Sequence, residues 1–347
     1  MTASYRSYIL DFKRPGGTSR GVLTRKETWF IFLHHNGNTG IGECGLLRGL
    51  SIDDVPDYES KLEWVCKNIT LGWAELSKHL QDFPSIIFGL EMALRSLESH
   101  DPFILFPSKF TTGDDAIPIN GLIWMGDKSF MEKQVKEKIE SGFKCIKMKI
   151  GAIDIETEFN ILSKLRKQFT TDTIEIRVDA NGAFKPENAL ERLKRLSDLD
   201  LHSIEQPIAA KQYDEMARLC ESTPLPIALD EDLIGIHQPE NKKKLLDRVK
   251  PQYIILKPSL IGGFAHTTEW IDLANNNETG WWLTSALESN VGLNAIAQYT
   301  YNLGTNMFQG LGTGSLYTNN FISPLVVKNG TLRHEPETLW HFNLENQ

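Results

Sequence analysis

Three carboxylates close successive apolar runs in the second half of the sequence. Asp179 ends IEIRVD, Glu205 ends SIE and Asp230 ends IALD. If these runs are neighbouring parallel strands, the acids meet at one edge of the sheet and repel one another unless a cation joins them. Oxygen ligands suit Mg²⁺ or Mn²⁺. Any one acid is as readily explained as a helix cap, but three at regular spacing predict a metal site.

Three lysines accompany the acids. Lys147 and Lys149 in KCIKMKIG are two residues apart, so on a strand their side chains point the same way. Lys257 ends YIILK and would face the same site from the opposite wall. A single strand lysine is more often solvated, as we expect for Lys144, but buried lysines near a metal can act as bases. We therefore predict acid–base chemistry by these lysines.

A regular interval predicts the elements that position these residues. From Lys149 onward, successive strand ends are 30, 26, 25, 27 and 31 residues apart, the last at Glu288. Each interval fits one strand and one helix of a (β/α)8 barrel, whose active site lies at the carboxyl ends of the strands. The predicted strands are Phe143–Ile150, Ile174–Asp179, Ser203–Glu205, Ile227–Asp230, Tyr253–Lys257 and Trp282–Ser285. The predicted helices include Glu156–Gln168, Pro186–Leu196 and Asp214–Cys220.

The N-terminal region has a different pattern. Tyr5–Phe12 and Thr28–His34 alternate as strands do, and the sequence from Asp57 to His100 has helical periodicity. We predict an α/β protein in which an α+β capping domain, residues 1–115, precedes a modified (β/α)8 barrel, residues 116–315. The C-terminal segment 316–347 is expected to return to the capping domain.

Composition excludes several classes of function. The 347 residues carry a net charge of −8 with no basic cluster, so nothing favours nucleic acid. Four cysteines lie far apart without a CxxC pair, and we expect them to be reduced thiols. There is no apolar signal core and no apolar run of about 20 residues, so we expect a cytoplasmic protein with no membrane partner. The partner that the site predicts is a small carboxylate substrate, and the oligomeric state is left open.

Several motifs together resemble the enolase superfamily over nearly the whole chain. They are the KMK pair, VDANG, IEQP, LDE and LKPSLIGG, which match in order and spacing. The resemblance implies a capped barrel, Mg²⁺ held by the three acids, and removal of a proton α to a carboxylate. A KxK pair facing a strand-end lysine is similar to the muconate lactonising subgroup.

Within that subgroup, GECGLLRGLS, INGLIWMG, TSALESNVGL and GLGTGSLYTNN resemble the o-succinylbenzoate synthases of menaquinone biosynthesis, and their Bacteroidetes branch in particular. The resemblance implies a lyase that dehydrates a cyclohexadiene carboxylate. Lys149 would be the base, Lys147 would polarise it, and Lys257 would stabilise the intermediate.

The same resemblance suggests substrate-binding residues. Ser289 and Asn290 are candidates to hold the succinyl tail, although Asn290 stands where a second serine is common. Arg20 or Arg48, in the loops of the capping domain, would meet an anionic group, although either is more often a solvated surface arginine. LDED in place of the usual DES leaves the roles of Glu231 and Asp232 open.

Three alternatives remain open. A dipeptide epimerase or N-succinylamino acid racemase of the same subgroup needs two opposed bases, and Lys149 with Lys257 would supply them. The run GLGTGSL lacks the Asp-x-Asp pair that usually holds the ammonium of a dipeptide, which argues against the epimerase. A Schiff-base aldolase would use a lysine nucleophile but has no need of three strand-end acids. A non-catalytic binding protein would need neither set of residues.

Overall fold

The computed structural model describes residues 1–18, 21–151 and 153–344. It begins with an antiparallel sheet of three strands, β1 (Thr2–Thr18), β2 (Gly21–His35) and β3 (Asn38–Cys44), in that order. Asn36 and Gly37 join β2 to β3 with φ of 51° and 83°, the left-handed conformation that a two-residue hairpin turn requires.

Three helices cover one face of this sheet. They are α1 (Tyr58–Lys67), α2 (Trp73–His79) and α3 (Pro84–Glu98). Ile31 on β2 packs in the core beneath them, whereas Phe30 points the other way, into the core of the barrel. Helix α3 approaches β3 so closely that a Cβ on Gly42 would lie 1.8 Å from the carbonyl oxygen of Gly89. Alternation along β2 therefore gives the sheet one face for each part of the molecule.

The second part of the molecule is a parallel sheet of seven strands with helical connections. Its strands, in their order across the sheet, are β5 (Gly121–Ile123), β6 (Cys145–Lys149), β7 (Glu175–Asp179), β8 (Ser203–Glu205), β9 (Ile227–Leu229), β10 (Tyr253–Leu256) and β11 (Gly280–Leu283). The helices are α4 (Lys128–Glu140), α5 (Ile155–Gln168), α6 (Pro186–Ser197), α7 (Tyr213–Ser222), α8 (Pro239–Val249), α9 (Pro258–Ile261), α10 (Gly263–Asn276) and α11 (Asn290–Asn302). Cys145–Lys149 is buried throughout, as expected of a strand between helices and barrel interior.

Backbone bridges close this sheet into a barrel. Gln309 pairs with Ile119, and Gly310 pairs with Thr284, so that this short segment stands in the place of an eighth strand. The side-chain oxygen of Gln309 also accepts a hydrogen bond from the backbone N–H of Leu283 (2.8 Å). Lower in the barrel, the guanidinium of Arg177 lies 4.0 Å from the ring centre of Trp282 and fills the interior.

The described part of the C-terminal region packs against the first sheet. A small antiparallel sheet contains β12 (Leu325–Lys328), β13 (Thr331–His334) and β4 (Ala116–Pro118). Before it, Tyr317 pairs with Phe12, and the N–H of Thr318 donates to the carbonyl of Asp11 (2.9 Å). Among the described residues, no helix is long and apolar enough to cross a membrane.

The predicted fold class, an α/β barrel with an N-terminal α+β cap, is confirmed. Each of the six predicted strands overlaps an observed one, and Ser203–Glu205 has the predicted bounds. The barrel strands are mostly shorter than predicted, because residues such as Asp230 and Lys257 at their carboxyl ends already belong to the loops.

Candidate active site

The three predicted metal ligands come together at the carboxyl ends of adjacent strands. Asp179 ends β7 and pairs in register with Glu205, which ends β8, and Asp230 follows β9. All three are buried, with at most 2% of their surface exposed. Gln206 holds the third acid in place, because its side-chain oxygen accepts a hydrogen bond from the N–H of Asp230 (3.1 Å).

The three predicted lysines lie among these acids. Lys147 Nζ is 2.9 Å from Asp179 Oδ2 and also donates to Glu205 Oε2. Lys257 Nζ donates to Asp230 Oδ2 and lies 3.8 Å from Glu205 Oε1. Lys147 on β6 and Lys257 after β10 therefore each contribute an ammonium group to a buried cluster of positive and negative charges.

Lys149 differs from the other two lysines because it contacts a neutral amide as well as a carboxylate. Its Nζ donates to Asp179 Oδ2 (2.9 Å) and to Asn181 Oδ1 (2.6 Å). Asn181 follows the strand with φ of 42°, and its own amide donates to Glu231 Oε1 (3.1 Å). The left-handed turn of VDANG thus aims an amide oxygen at the lysine predicted to be the base.

The charges in the cluster do not balance evenly. Burial opposes ionisation of Asp179, but Lys147 and its neighbours outweigh this effect and hold the pKa of Asp179 well below its ordinary value. For Asp230, Lys257 outweighs burial in the same way and lowers the pKa. Burial, followed by the nearby charge of Asp179, raises the pKa of Glu205 to about 8. The neighbouring lysines therefore compensate for the charge of Glu205 less fully than for the charges of Asp179 and Asp230.

This donor set fits a hard divalent cation. The candidate ligands are three carboxylates, and the buried Glu205 Oε1 has no hydrogen-bond partner in the described part of the chain. Within the described ranges, no three His, Cys, Asp or Glu side chains surround a single point, and Lys147 contacts both Asp179 and Glu205. Binding of an ion at this position would require the ammonium groups to move away from the carboxylates.

A cavity of about 470 Å³ lies above the cluster and is shared by the two parts of the molecule. Its size suits a small molecule. The first sheet and its loops contribute Lys13, Arg14, Pro15, Leu23, Leu47 and Leu50. The barrel contributes, among others, Lys147, Lys149, Asp179, Asn181, Lys257, Ser285, Thr313 and Ser315.

Three of the four predicted substrate-binding residues, Arg48, Ser289 and Asn290, do not line this cavity. Arg48 is held at the surface by Glu27 (2.7 Å) and Asp54 (2.6 Å). Ser289 is fully buried, and its hydroxyl donates to a carboxylate of the first sheet. The side chain of Asn290 donates to the carbonyl of Phe321 (2.6 Å). Arg20 lies outside the described residues.

Other polar side chains line the cavity wall. Lys13 and Arg14 precede the glycine loop of the first sheet, and Ser285 and Thr313 lie on the opposite side. Thr313 Oγ1 donates to Ser285 Oγ (2.9 Å). Lys13 and Arg14 stand just before the glycines of this loop in the sequence, and this was the signal that could have identified them. The serine and threonine could be found only once the barrel was known to close at 309–310.

Comparison with known proteins identifies the family to which this fold belongs. Residues 131–337 match the family described as Enolase C-terminal domain-like. An o-succinylbenzoate synthase from Desulfotalea psychrophila is 48% identical over 96% of this chain and 98% of the relative. A crystal structure of MenC from Desulfotalea psychrophila superposes with a TM-score of 0.85 at 45% identity, over 96% of this chain and 99% of that one.

A more distant relative is an L-amino acid-D/L-Glu epimerase from Sulfurimonas denitrificans, 26% identical over 75% of this chain and 76% of the relative. The chain belongs to the enolase superfamily, and the resemblance drawn from its motifs is confirmed. It is an enzyme of that superfamily, and its relative at 48% identity over nearly all of both chains is an o-succinylbenzoate synthase.

Proposed function

We propose that this enzyme is an o-succinylbenzoate synthase, a lyase that converts 2-succinyl-6-hydroxy-2,4-cyclohexadiene-1-carboxylate to 2-succinylbenzoate and water in menaquinone biosynthesis. The observation that carries the proposal is the position of Lys149, which lines the cavity beside three buried carboxylates. The 48% identity with an o-succinylbenzoate synthase over nearly the whole chain supports the choice of reaction.

Asp179, Glu205 and Asp230 would hold Mg²⁺, or Mn²⁺, which would supply electrophilic stabilisation to the substrate carboxylate. Lys149 Nζ takes the proton from the ring carbon that carries the carboxylate. The same ammonium then gives that proton to the hydroxyl on the adjacent carbon, so the C–O bond breaks and water leaves. A double bond forms between the two carbons and the ring becomes aromatic. One lysine serves both steps because both groups leave from the same face.

The other residues orient and enclose the substrate. Asn181 accepts a hydrogen bond from Lys149 and keeps its Nζ directed at the cavity. Lys257, on the opposite wall, places a cation against the developing π density of the ring. Leu23, Leu47 and Leu50 from the first sheet and its loops cover the cavity and exclude water.

A racemase or epimerase is the second candidate, because Lys149 and Lys257 both line the cavity from opposite walls. Those reactions need one base on each face of the α-carbon. The segment in the eighth-strand position contributes Gly310, Gly312 and Thr313 to the cavity, and no carboxylate there would hold a dipeptide ammonium. This favours the dehydration over epimerisation of a dipeptide.

Purified enzyme should be assayed with Mg²⁺ and the cyclohexadiene substrate by the change in ultraviolet absorbance. A parallel sample should be assayed for racemisation of N-succinylamino acids in D₂O. Dehydration faster than racemisation supports the proposal. Racemisation without dehydration would assign the enzyme to the second candidate.

A further inference from the structure

Lys26 is a buried cation that the proposed reaction does not use. It lies on β2, only 4% of its surface is exposed, and its buried Nζ has no hydrogen-bond partner among the residues that the structure describes. Burial lowers the pKa of Lys26, and the charges of Glu288 and Glu43 act in the opposite direction. An ammonium group in such a place is costly unless a nearby charge compensates for it.

The first of these carboxylates joins the capping sheet to the barrel. Glu43, near the end of β3, is fully buried and accepts a hydrogen bond from Thr28 Oγ1 (2.9 Å). It also accepts from the backbone N–H groups of Ser289 (2.9 Å) and Gly292 (2.8 Å), at the start of α11. The capping sheet thus supplies a negative charge to a helix N-terminus of the barrel.

The second carboxylate belongs to the barrel and supports the cavity wall. Glu288 is fully buried and accepts hydrogen bonds from Ser259 Oγ (2.5 Å) and Ser285 Oγ (2.6 Å). Because Ser285 gives its proton to Glu288, it can accept one from Thr313 Oγ1 (2.9 Å). Ser285 and Thr313 line the cavity, and Ser259 is two residues beyond Lys257. The direction of these hydrogen bonds requires that Glu288 act as an acceptor.

The two acids are closely packed against the backbone of Gly45 and Gly292. A Cβ on Gly45 would lie 3.1 Å from Glu288 Cγ. A Cβ on Gly292 would lie 2.8 Å from Glu288 Cβ and 2.9 Å from Glu43 Oε2. The two acids thus approach each other where the capping sheet meets the barrel. Lys26 is on the same face of β2 as Thr28, which bonds to Glu43, and both carboxylate charges act on Lys26.

We propose that Lys26 is a positioning residue, the counter-ion that keeps Glu43 and Glu288 as hydrogen-bond acceptors. Through them it fixes the capping sheet against α11 and orients the hydroxyl groups of Ser285 and Thr313 on the cavity wall. The role lies outside the catalytic lysines and the carboxylate cluster. Its kinetic test rests on the proposed function, because it uses the dehydration substrate.

The test compares Lys26→Met with Arg25→Met. Arg25 is the preceding residue on β2, its side chain is 71% exposed, and it pairs with Asp11. A disordered cavity wall weakens ground-state and transition-state binding alike, so K26M should raise KM at least about tenfold while kcat changes by less than about threefold. R25M should match the wild type. A K26M enzyme with wild-type KM, whether or not kcat falls with the folded fraction, would overturn the proposal.

A compensating variant covers the case in which K26M folds poorly. K26M/E288Q removes one of the two uncompensated charges, while the introduced glutamine side chain can still bond to both serines. We expect the double variant to fold better than K26M and to recover at least about a third of the lost affinity for substrate. If E288Q restores neither folding nor KM, the counter-ion role is wrong.

A measurement without substrate separates this proposal from the proposed function. Amide hydrogen exchange at Ser289 and Gly292 should be faster in K26M than in the wild type and unchanged in R25M. If the wild type fails to dehydrate the substrate, the proposed function is wrong, and this exchange still tests Lys26. Equal exchange in all three proteins would contradict the positioning role.

Discussion

Lys149 and Asp179 are the last residues of two adjacent parallel strands, and Lys149 Nζ donates to Asp179 Oδ2 across 2.9 Å. The residue proposed to remove the substrate proton is therefore in direct contact with a residue proposed to bind the metal. A cation held by Asp179 would compete with Lys149 for this one carboxylate, so cation binding would release Lys149 to act as a base.

The first prediction concerns Mg²⁺ binding at the proposed metal site. Asp230→Asn removes one of the three proposed anionic ligands, and we expect Mg²⁺ affinity to fall by at least about 10²-fold. Excess Mg²⁺ should raise the melting temperature of the wild type but have little effect on D230N. Calorimetric titration and thermal unfolding would measure the two effects. The control is Asp214→Asn, a surface carboxylate paired with Arg248. Equal Mg²⁺ binding by D230N and D214N would exclude this site.

Asp53 predicts a dependence of stability on pH. Its carboxylate accepts from the N–H (2.9 Å) and hydroxyl (2.6 Å) of Ser85 at the start of α3. Burial outweighs these hydrogen bonds and raises the pKa of Asp53 from 3.8 to about 6. The stability that it contributes is complete below pH 3.8 and is lost as the pH rises through 6. The free energy of unfolding of the wild type should fall by about 2 kcal/mol relative to D53N between pH 4.5 and 7.5.

Denaturant unfolding at several pH values would measure this difference. Asp54 is a matched control because it is the next residue and its pKa is lowered, by the N–H of Gly49 and by Arg48, against the effect of burial. The stability that Asp54 contributes is present above the unfolded pKa and is lost as the pH falls through the folded pKa. The free energy of unfolding of the wild type relative to D54N should therefore rise with pH, opposite to the comparison with D53N. A D53N curve parallel to that of the wild type would contradict the shifted pKa.

Cations at the cavity predict which arginine matters for substrate binding. Arg14 lines the cavity, whereas Arg48 is paired with Glu27 and Asp54 away from it. For a dianionic substrate, R14A should raise KM by about three- to tenfold, and the effect should weaken at high salt because the side chain is exposed. R48A should change KM by less than about twofold. A larger effect for R48A than for R14A would favour the prediction made from sequence.

Periodicity explains why the clustering of these acids and lysines could be predicted from the sequence. Asp179, Glu205 and Lys257 each follow a short apolar run, and parallel strands bring their carboxyl ends to one face whatever the intervening loops contain. Lys147 and Lys149 are two residues apart on one strand, so their side chains point to the same side of the sheet. None of these inferences depends on a long-range contact that only tertiary packing decides.

The substrate-binding residues depend on such contacts. Sequence similarity placed Ser289 in the site, but Glu43, 246 residues away, binds its hydroxyl in the interface between cap and barrel. Arg48 likewise pairs with acids that only the folded sheet brings near it. Ser285 follows the end of β11 and lines the cavity. Which of several neighbouring polar residues faces a cavity is decided by packing between the two parts of the molecule, which a local pattern does not encode.

The most direct test of the central claim is the dehydration rate of Lys149→Ala, measured with saturating Mg²⁺. Lys144→Ala is the matched control, because Lys144 is an exposed lysine next to the same strand. Loss of the group that both accepts and donates the proton should lower kcat by about 10²- to 10⁴-fold in K149A, while K144A should retain the wild-type rate. If K149A keeps more than a few per cent of the wild-type rate while correctly folded, Lys149 is not the base.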